Sequence, residues 1–295
     1  MNLLKIGNHM NSIESYKNQI QQIAENSQIS FNPNKTALLV IDVVNDGNSE
    51  EGFFKKVLKA DISMFQGIEN NVVELISACK QASIPTICVY SIFDFDYIPD
   101  SMRKRFEARK IKGLSTKGSW GAQIINKLLD TRPDFILIKS HYSPFSRLHS
   151  FMYKPNGNKE LEEYLKLPAK DDSEVEMKGN KIMRDYLTEA NNVNIENIND
   201  YLKNGRVVAL DTFLRARGID TLIITGSATH VCEDAAVSAA SEQGFHIIEP
   251  IDAVASQEFD KHCIYLHNHG LFKTQLATTK KILERLKENQ NANSK

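Results

Sequence analysis

Three side chains in this sequence have the chemistry of a nucleophile, a base and a cation: Cys232, Asp42 and Lys139. Each stands at the end of an apolar, strand-sized run or just beyond it: Thr36 to Asp42, Phe135 to Lys139, and Thr221 to Thr225 followed by Gly226-Ser-Ala-Thr-His-Val-Cys232. A thiol of pKa near ~8.5 becomes a useful nucleophile when a cation and a helix N-terminus stabilise its thiolate. The stretch ending at Cys232 predicts a strand turning into a helix, so backbone N–H groups and the positive end of the helix dipole face the sulfur. The same donors can hold an oxyanion. Asp42 can take the thiol proton, and Lys139 can stabilise the charge left behind. Singly, each has a plain reading as a turn aspartate, a snorkelling lysine or a packing cysteine. Their shared place at strand ends joins them into one hypothesis.

The elements that must bring them together follow from hydrophobic patterning. Thr36 to Asp42 reads as a strand buried on both faces, as in a parallel sheet. Ile68, Val72, Val73, Leu75, Ile76 and Cys79 recur at helical spacing and predict a helix over 66–82, before a strand from Thr86 to Ser91. A helix over 120–129 leads to the strand ending at Lys139. Helices over 210–217 and 232–243, stopped by Gly218 and Gly244, flank the strand Thr221 to Thr225. A strand from Phe245 to Glu249, a last strand opened by Gly270 and a helix over 274–288 complete the pattern. This rhythm predicts a doubly wound, three-layer α/β/α fold with a mostly parallel six-stranded sheet. Ligands in such sheets bind beyond the carboxyl ends of the strands, at a switch point.

The expected organisation is an N-terminal extension over 1–34, a domain over 35–290 and a disordered tail over 291–295. The domain is interrupted over 147–205 by a stretch rich in Asn, Lys and Glu, with a charge run from Lys170 to Lys178. Two helical pieces near 161–167 and 182–187 predict an inserted helical lid or subdomain.

The 295 residues carry 36 Lys plus Arg against 37 Asp plus Glu, a net charge of -1. No global basic field draws the chain to nucleic acid or to a membrane surface. The apolar runs fall short of a bilayer span, and the N-terminus lacks a sustained apolar stretch, so a cytoplasmic protein is expected. Cys79, Cys88, Cys232 and Cys263 form no close pairs, which argues against a disulfide framework or zinc knuckle. Cys79, Cys88 and Cys263 read as core residues. His262, His267 and His269 match no standard metal spacing, so neither metal nor other cofactor is expected. His230, two residues before Cys232, does not share a helix face with it.

Thr36-Ala-Leu-Leu-Val-Ile-Asp42-Val-Val-Asn45-Asp46, Lys139 with Ser140 to Phe145, Phe213 to Cys232, and Asp252-Ala-Val-Ala-Ser256 with His262 form four ordered motifs. In these the chain resembles the isochorismatase-like cysteine hydrolases. The resemblance covers about 35–146 and 207–290. It implies a Cys–Asp–Lys triad of Cys232, Asp42 and Lys139, and a covalent thioester-type intermediate with release of ammonia or an amine. It also implies a cis peptide before Ala228, with an oxyanion hole from the N–H groups of Ala228 and Cys232. Asn45, Trp120, Phe145 and Thr229 are the substrate-binding positions it suggests, in a homo-oligomer, dimer or tetramer.

Phe93 to Tyr97 lacks the histidines with which nicotinamidases of the family bind a metal, and Val44 replaces a usual Gln. Lys117-Gly118-Ser119-Trp120-Gly121 resembles a stretch in members acting on carbamoyl and ureido compounds. The expected activity is therefore cleavage of a C–N bond in a small amide, carbamoyl or ureido substrate. Two alternatives stand beside it: an isochorismatase-type vinyl-ether hydrolase, and a non-catalytic binding protein using the 147–205 insertion.

Overall fold

The computed structural model describes residues 13–93, 98–167, 173–193 and 198–293. Its strands are β1 (Thr36–Ile41), β2 (Thr86–Ser91), β3 (Phe135–Lys139), β4 (Ser150–Tyr153), β5 (Thr221–Ser227), β6 (His246–Pro250), β7 (Val254–Ala255) and β8 (Gln275–Ala277). They form one sheet in the order β4-β3-β2-β1-β5-β6-β8, with β7 beside β5. Every pairing is parallel except β3 with β4. Eight strands replace the expected six. The additional ones are β4, four residues long inside a polar stretch, and β7, two residues long, both too short for a periodic signal.

β1 is apolar throughout because both faces are covered. Leu38 and Val40 pack with Val72, Leu75, Ile76 and Cys79 of helix Glu69–Gln81 and with Ile282 and Leu286 of helix Thr279–Asn293. Ala37, Leu39 and Ile41 face Phe213 and Leu214 of helix Leu210–Ala216 and Ala236, Val237 and Ala240 of helix Asp234–Glu242. The three layers are therefore those expected.

Several boundaries differ. The helix expected over 120–129 is a single turn, Asn126–Leu129. The residues ahead of it are held by tertiary contacts instead, Gln123 O accepting from Asn45 N at 3.0 Å and Gly121 O from Asp46 N at 2.8 Å. Gly270 lies inside helix Phe259–Phe272 rather than opening a strand, and β8 precedes the last helix. The buried stripe of that helix is His262, Cys263, Leu266 and His269, so its helical period is half written in histidine and escapes a hydrophobic reading.

The 147–205 region contributes β4 and helices Lys159–Lys166, Ser173–Asn191 and Ile198–Lys203. Leu161, Tyr164, Leu165 and Met183 join the main core cluster, so this stretch completes the sheet's edge. Arg147 holds its root to helix Leu210–Ala216 through Asp211, Nη2 to Oδ2 2.5 Å. Residues 170–172 of the charge run lie outside the described residues.

In the N-terminal extension, helix Ile13–Asn26 buries Ile20 and Ala24 against Cys263, Leu266 and Leu276. The last helix runs to Asn293, into the stretch expected to be a disordered tail. Among the described residues no helix is long and apolar enough to cross a membrane.

Candidate active site

The sheet's strand order reverses between β1 and β5, and the chain ends that matter gather there. Asp42 follows β1 with φ 48°, a left-handed conformation that aspartate tolerates better than most residues, while its N–H donates to Val89 O at 2.9 Å. Ser91 ends β2 in register with Lys139 at the end of β3. β5 approaches β1 so closely at Gly226 that a Cβ there would lie 2.1 Å from Ile41 O, and its φ of 119° also demands glycine. The Ser227-Ala228 peptide is cis. A π-helical turn, Thr229–Glu233, follows and carries Cys232, and the α-helix begins only at Asp234.

Lys139 is the hub. Its Nζ lies 2.8 Å from Asp42 Oδ2, 2.6 Å from Ser91 Oγ and 3.3 Å from Cys232 Sγ. Ser91 Oγ is 3.1 and 3.2 Å from the two Asp42 oxygens, so its hydroxyl donates to the carboxylate while accepting from the lysine. The Lys139 side chain is fully buried and that of Asp42 is 12 % exposed. Burial opposes the lysine's charge, but Asp42 and the sulfur prevail and hold its pKa above that of an ordinary lysine. Burial, then the Asp42 charge, push the Cys232 thiol up against the pull of Lys139. Asp42 and Lys139 thus act on the sulfur in opposite senses, one disfavouring and the other favouring its charged form.

The four expected substrate positions separate. Asn45 Nδ2 donates to Trp120 O at 2.8 Å, binding the 117–121 loop to the turn after Asp42, and Trp120 stands half exposed at 50 %. Gly121 is required there because a Cβ would lie 2.1 Å from the buried Asp46 Oδ1. Phe145 is buried in the apolar layer that contains Cys232, its ring 6.0 Å from Phe245. Thr229 is fully buried, with its hydroxyl donating to Ala255 O at 3.0 Å and lying 2.9 Å from His262 Nδ1. That commitment makes the Thr229 side chain an internal strut.

Sequence reading overlooked Ser91, Phe93 and Tyr142. Lys139 Nζ sits 5.7 Å from the Phe93 ring centroid, and Phe93 lies edge-on to Tyr142 at 6.3 Å. The available signal was Ser91's place at the end of a strand flanked by the Asp42 and Lys139 strands. A cavity of about 1110 Å3 between β2, β3 and helix Lys159–Lys166 includes none of Asp42, Lys139 or Cys232 in its lining.

The three C-terminal histidines do not converge. His262 meets Thr229, His267 meets Gln19, and His269 lies between Glu249 and Asp234. Among the described residues no group of three His, Cys, Asp or Glu side chains could hold a metal ion. Residues 94–97 of the stretch compared with the nicotinamidase metal site lie outside the described residues. His230 turns away from the sulfur, with Nδ1 2.9 Å from Ser256 Oγ.

The isochorismatase domain family matches residues 36–170 and 207–279. The chain belongs to the isochorismatase family. The stretch left between the matched segments, 171–206, is shorter than the insertion read from composition. Ureidoacrylate amidohydrolase from Cronobacter turicensis is 26 % identical over 143 residues, covering 43 % of this chain and 60 % of that enzyme. The Agrobacterium fabrum ureidoacrylate amidohydrolase is 30 % identical over 133 residues, 40 % of this chain and 57 % of that enzyme. The matches thus span less than two thirds of these relatives' length. Among solved structures, a cysteine hydrolase from Pseudomonas syringae superimposes with TM-score 0.60 at 19 % identity, covering 89 % of this chain and 97 % of that one. N-carbamoylsarcosine amidase from Thermoplasma acidophilum gives 0.50 at 19 % identity, covering 83 % and 96 %. These two likenesses establish a shared fold.

Proposed function

We propose that this isochorismatase-family protein is a cysteine hydrolase that cleaves a C–N bond in a small acyclic amide, carbamoyl or ureido compound. The observation that carries the reading is the single ammonium of Lys139 in contact with both Asp42 and Cys232 Sγ. The resemblance to two ureidoacrylate amidohydrolases supports the substrate class.

In this reading Asp42 removes the thiol proton as Sγ attacks the carbonyl carbon. Lys139 steadies the thiolate and keeps Asp42 oriented, assisted by Ser91. The backbone N–H groups of Ala228 and Cys232 receive the oxyanion. Collapse breaks the C–N bond, the Asp42 proton passes to the departing nitrogen, and a thioester remains on Cys232. Water, deprotonated by Asp42, attacks the thioester; the acid product leaves and the thiol regains its proton. A thiol pushed up by burial suits this order, because charge on sulfur then develops as the bond to substrate forms. We further read 35–290 as one hydrolase domain, with the 147–205 region as a wall or lid, in a cytoplasmic homo-oligomer.

The test is a screen of small amides and ureas for ammonia release, paired with intact-mass detection of an acyl or carbamoyl adduct on Cys232. Cys232→Ala should stay folded and lose at least about 1,000-fold in kcat. Retained turnover in that variant eliminates the mechanism. Hydrolysis of isochorismate that survives loss of the thiol would favour vinyl-ether chemistry instead.

A further inference from the structure

We propose that Lys117 is a positioning residue: it fastens the 115–125 loop to the C-terminal end of helix Lys159–Lys166, and through that loop the 147–205 region sets the geometry of the turn following Asp42. The inference rests on the reading of Asp42 as the general base, and it gives the 147–205 region a part in the chemistry besides that of wall or lid.

Lys117 is 6 % exposed, a costly place for an ammonium unless acceptors surround it. Its Nζ donates to Leu167 O at 2.7 Å and lies 3.4 Å from Tyr164 O, two carbonyls at the end of helix Lys159–Lys166. Carbonyls there carry the negative end of the helix dipole and have donor positions to fill, so a cation meets both needs. The same Nζ sits 4.4 Å from the centroid of the Tyr164 ring, a cation–π contact. An apolar side chain would fill the space equally well. A buried cation aimed at a helix end instead makes the contact directional, joining one loop to one helix terminus.

The rest of the loop is committed to the chain that leaves Asp42. Ser115 N donates to the buried Asp46 Oδ2 at 2.8 Å. Asn45 Nδ2 donates to Trp120 O at 2.8 Å, Asp46 N to Gly121 O at 2.8 Å and Asn45 N to Gln123 O at 3.0 Å. Val44 forms an antiparallel bridge with Ile124, and Ile125 N donates to Val43 O at 3.3 Å. Every residue over 43–46 is thus tied to the loop, beginning one position after Asp42. Asp42 itself leaves β1 in a left-handed conformation, φ 48°, so the direction of its carboxylate depends on this turn as well as on the strand. From the other side Phe93 N donates to Ser115 O at 2.9 Å, and the Phe93 ring lies 5.7 Å from Lys139 Nζ. The loop therefore grips the chain on both flanks of the carboxylate–ammonium pair. Displacing a catalytic group by about 1 Å is enough to cost on the order of 100-fold in rate.

Trp120 provides the test, because it is the only tryptophan in the sequence, lies three residues from Lys117 and is half exposed. Its emission reports on the loop without any substrate. In Lys117→Met that emission should move to longer wavelength and be quenched more steeply by acrylamide, while kcat for ammonia release falls by about 10-fold or more and KM stays within about 3-fold. Lys117→Arg, which keeps the cation, should restore most of both. Tyr164→Leu should shift both readouts in the same direction by less. The double variant should be no worse than Lys117→Met alone, since the two substitutions remove one shared contact. Lys166→Met, at an exposed cation on the same helix, should change neither readout.

Unaltered Trp120 emission in folded Lys117→Met overturns the proposal, as does unaltered emission in Tyr164→Leu where Lys117→Met does not fold. Fully additive losses in the double variant overturn the shared contact. Altered emission with unchanged kcat overturns the link to Asp42. If wild-type protein releases no ammonia and forms no Cys232 adduct, the activity and the catalytic half of the proposal fall together, while the emission still decides whether Lys117 holds the loop.

Discussion

Adjacent residues on one π-helical turn serve two different buried polar clusters. Cys232 contacts Lys139 of the Asp42–Ser91–Lys139 cluster, whereas Glu233 is buried within reach of the charge of Glu249, which belongs with His269, Asp234, Thr274 and Lys273. The second cluster is closed. His269 lies 3.1 Å from both Glu249 oxygens and 3.0 Å from Asp234 Oδ1, Thr274 donates to Glu249 at 3.1 Å, and Lys273 lies 3.0 Å from Asp234. In the first cluster a single cation faces a carboxylate and a thiol, and the carboxylate edge reaches solvent. Similar ingredients thus produce a rigid brace on one side and a reactive group with acceptor capacity to spare on the other. What separates them is access and the balance of donors to acceptors.

The largest effect that would test this contrast is at the shared cation of the first cluster. Lys139→Met should abolish turnover, by more than about 1,000-fold in kcat, and destabilise the fold by about 3 kcal/mol, because its carboxylate partner loses its counter-charge in a largely buried site. Urea unfolding and single-turnover kinetics check both halves. His269→Leu should cost about 3–5 kcal/mol in stability yet leave kcat of the folded fraction within about 3-fold of wild type. A comparable loss of kcat would show that the brace is part of the chemistry.

The pH dependence of stability sharpens the same distinction. Burial opposes charge on His269, but Glu249 and Asp234 prevail and raise its pKa from 6.5 to about 9. Its contribution is fully present below about 6.5 and is lost as pH rises through 9, a loss approaching 3 kcal/mol by linkage. Asp234, held down to about 2, reports the same contact and is not added. The His269→Leu variant should lack this loss between pH 6.5 and 9 in urea midpoints.

Smaller effects should follow at the edges of each cluster. Ser91→Ala removes the hydroxyl between Lys139 and Asp42 and should reduce kcat about 10-fold, with little change in KM. Glu233 is fully buried, and burial followed by the Glu249 charge raises its pKa well above that of an ordinary glutamate, against the pull of the nearby Thr229 hydroxyl. Glu233→Gln keeps the shape of the protonated acid, so stability at pH 8 should hold or rise by about 1 kcal/mol. A fall of 2 kcal/mol or more would mean that the carboxylate is charged and paired.

Much of this architecture was legible because it is written in strong local patterns. A strand buried on both faces is apolar at every position, and a helix packed on a sheet repeats at 3.6 residues, so β1, β2, β3, β5 and the helices Glu69–Gln81 and Leu210–Ala216 could be located, while helix Asp100–Ala108 was missed. The helix Phe259–Phe272 was not legible, since buried His262 and His269 occupy positions where a pattern search expects apolar residues. Residues 120–125, read as the first part of a helix over 120–129, are held open by Asn45 and Asp46 across about 75 residues of chain. Thr229 was placed in the substrate site by its motif, yet its hydroxyl is taken by a strand carbonyl and a histidine that no local pattern reveals.

The sequence alone determined which residues have reactive chemistry, that they end apolar strands, and that those strands belong to a parallel sheet, because side-chain type and hydrophobic period are local properties. Only the tertiary structure decided that Lys139 contacts Asp42, Ser91 and the sulfur together, that burial pushes the thiol up, and that His269 is braced between Glu249 and Asp234. These depend on strand order, register and burial, through which residues distant along the chain share one low-dielectric space and shift one another's charge.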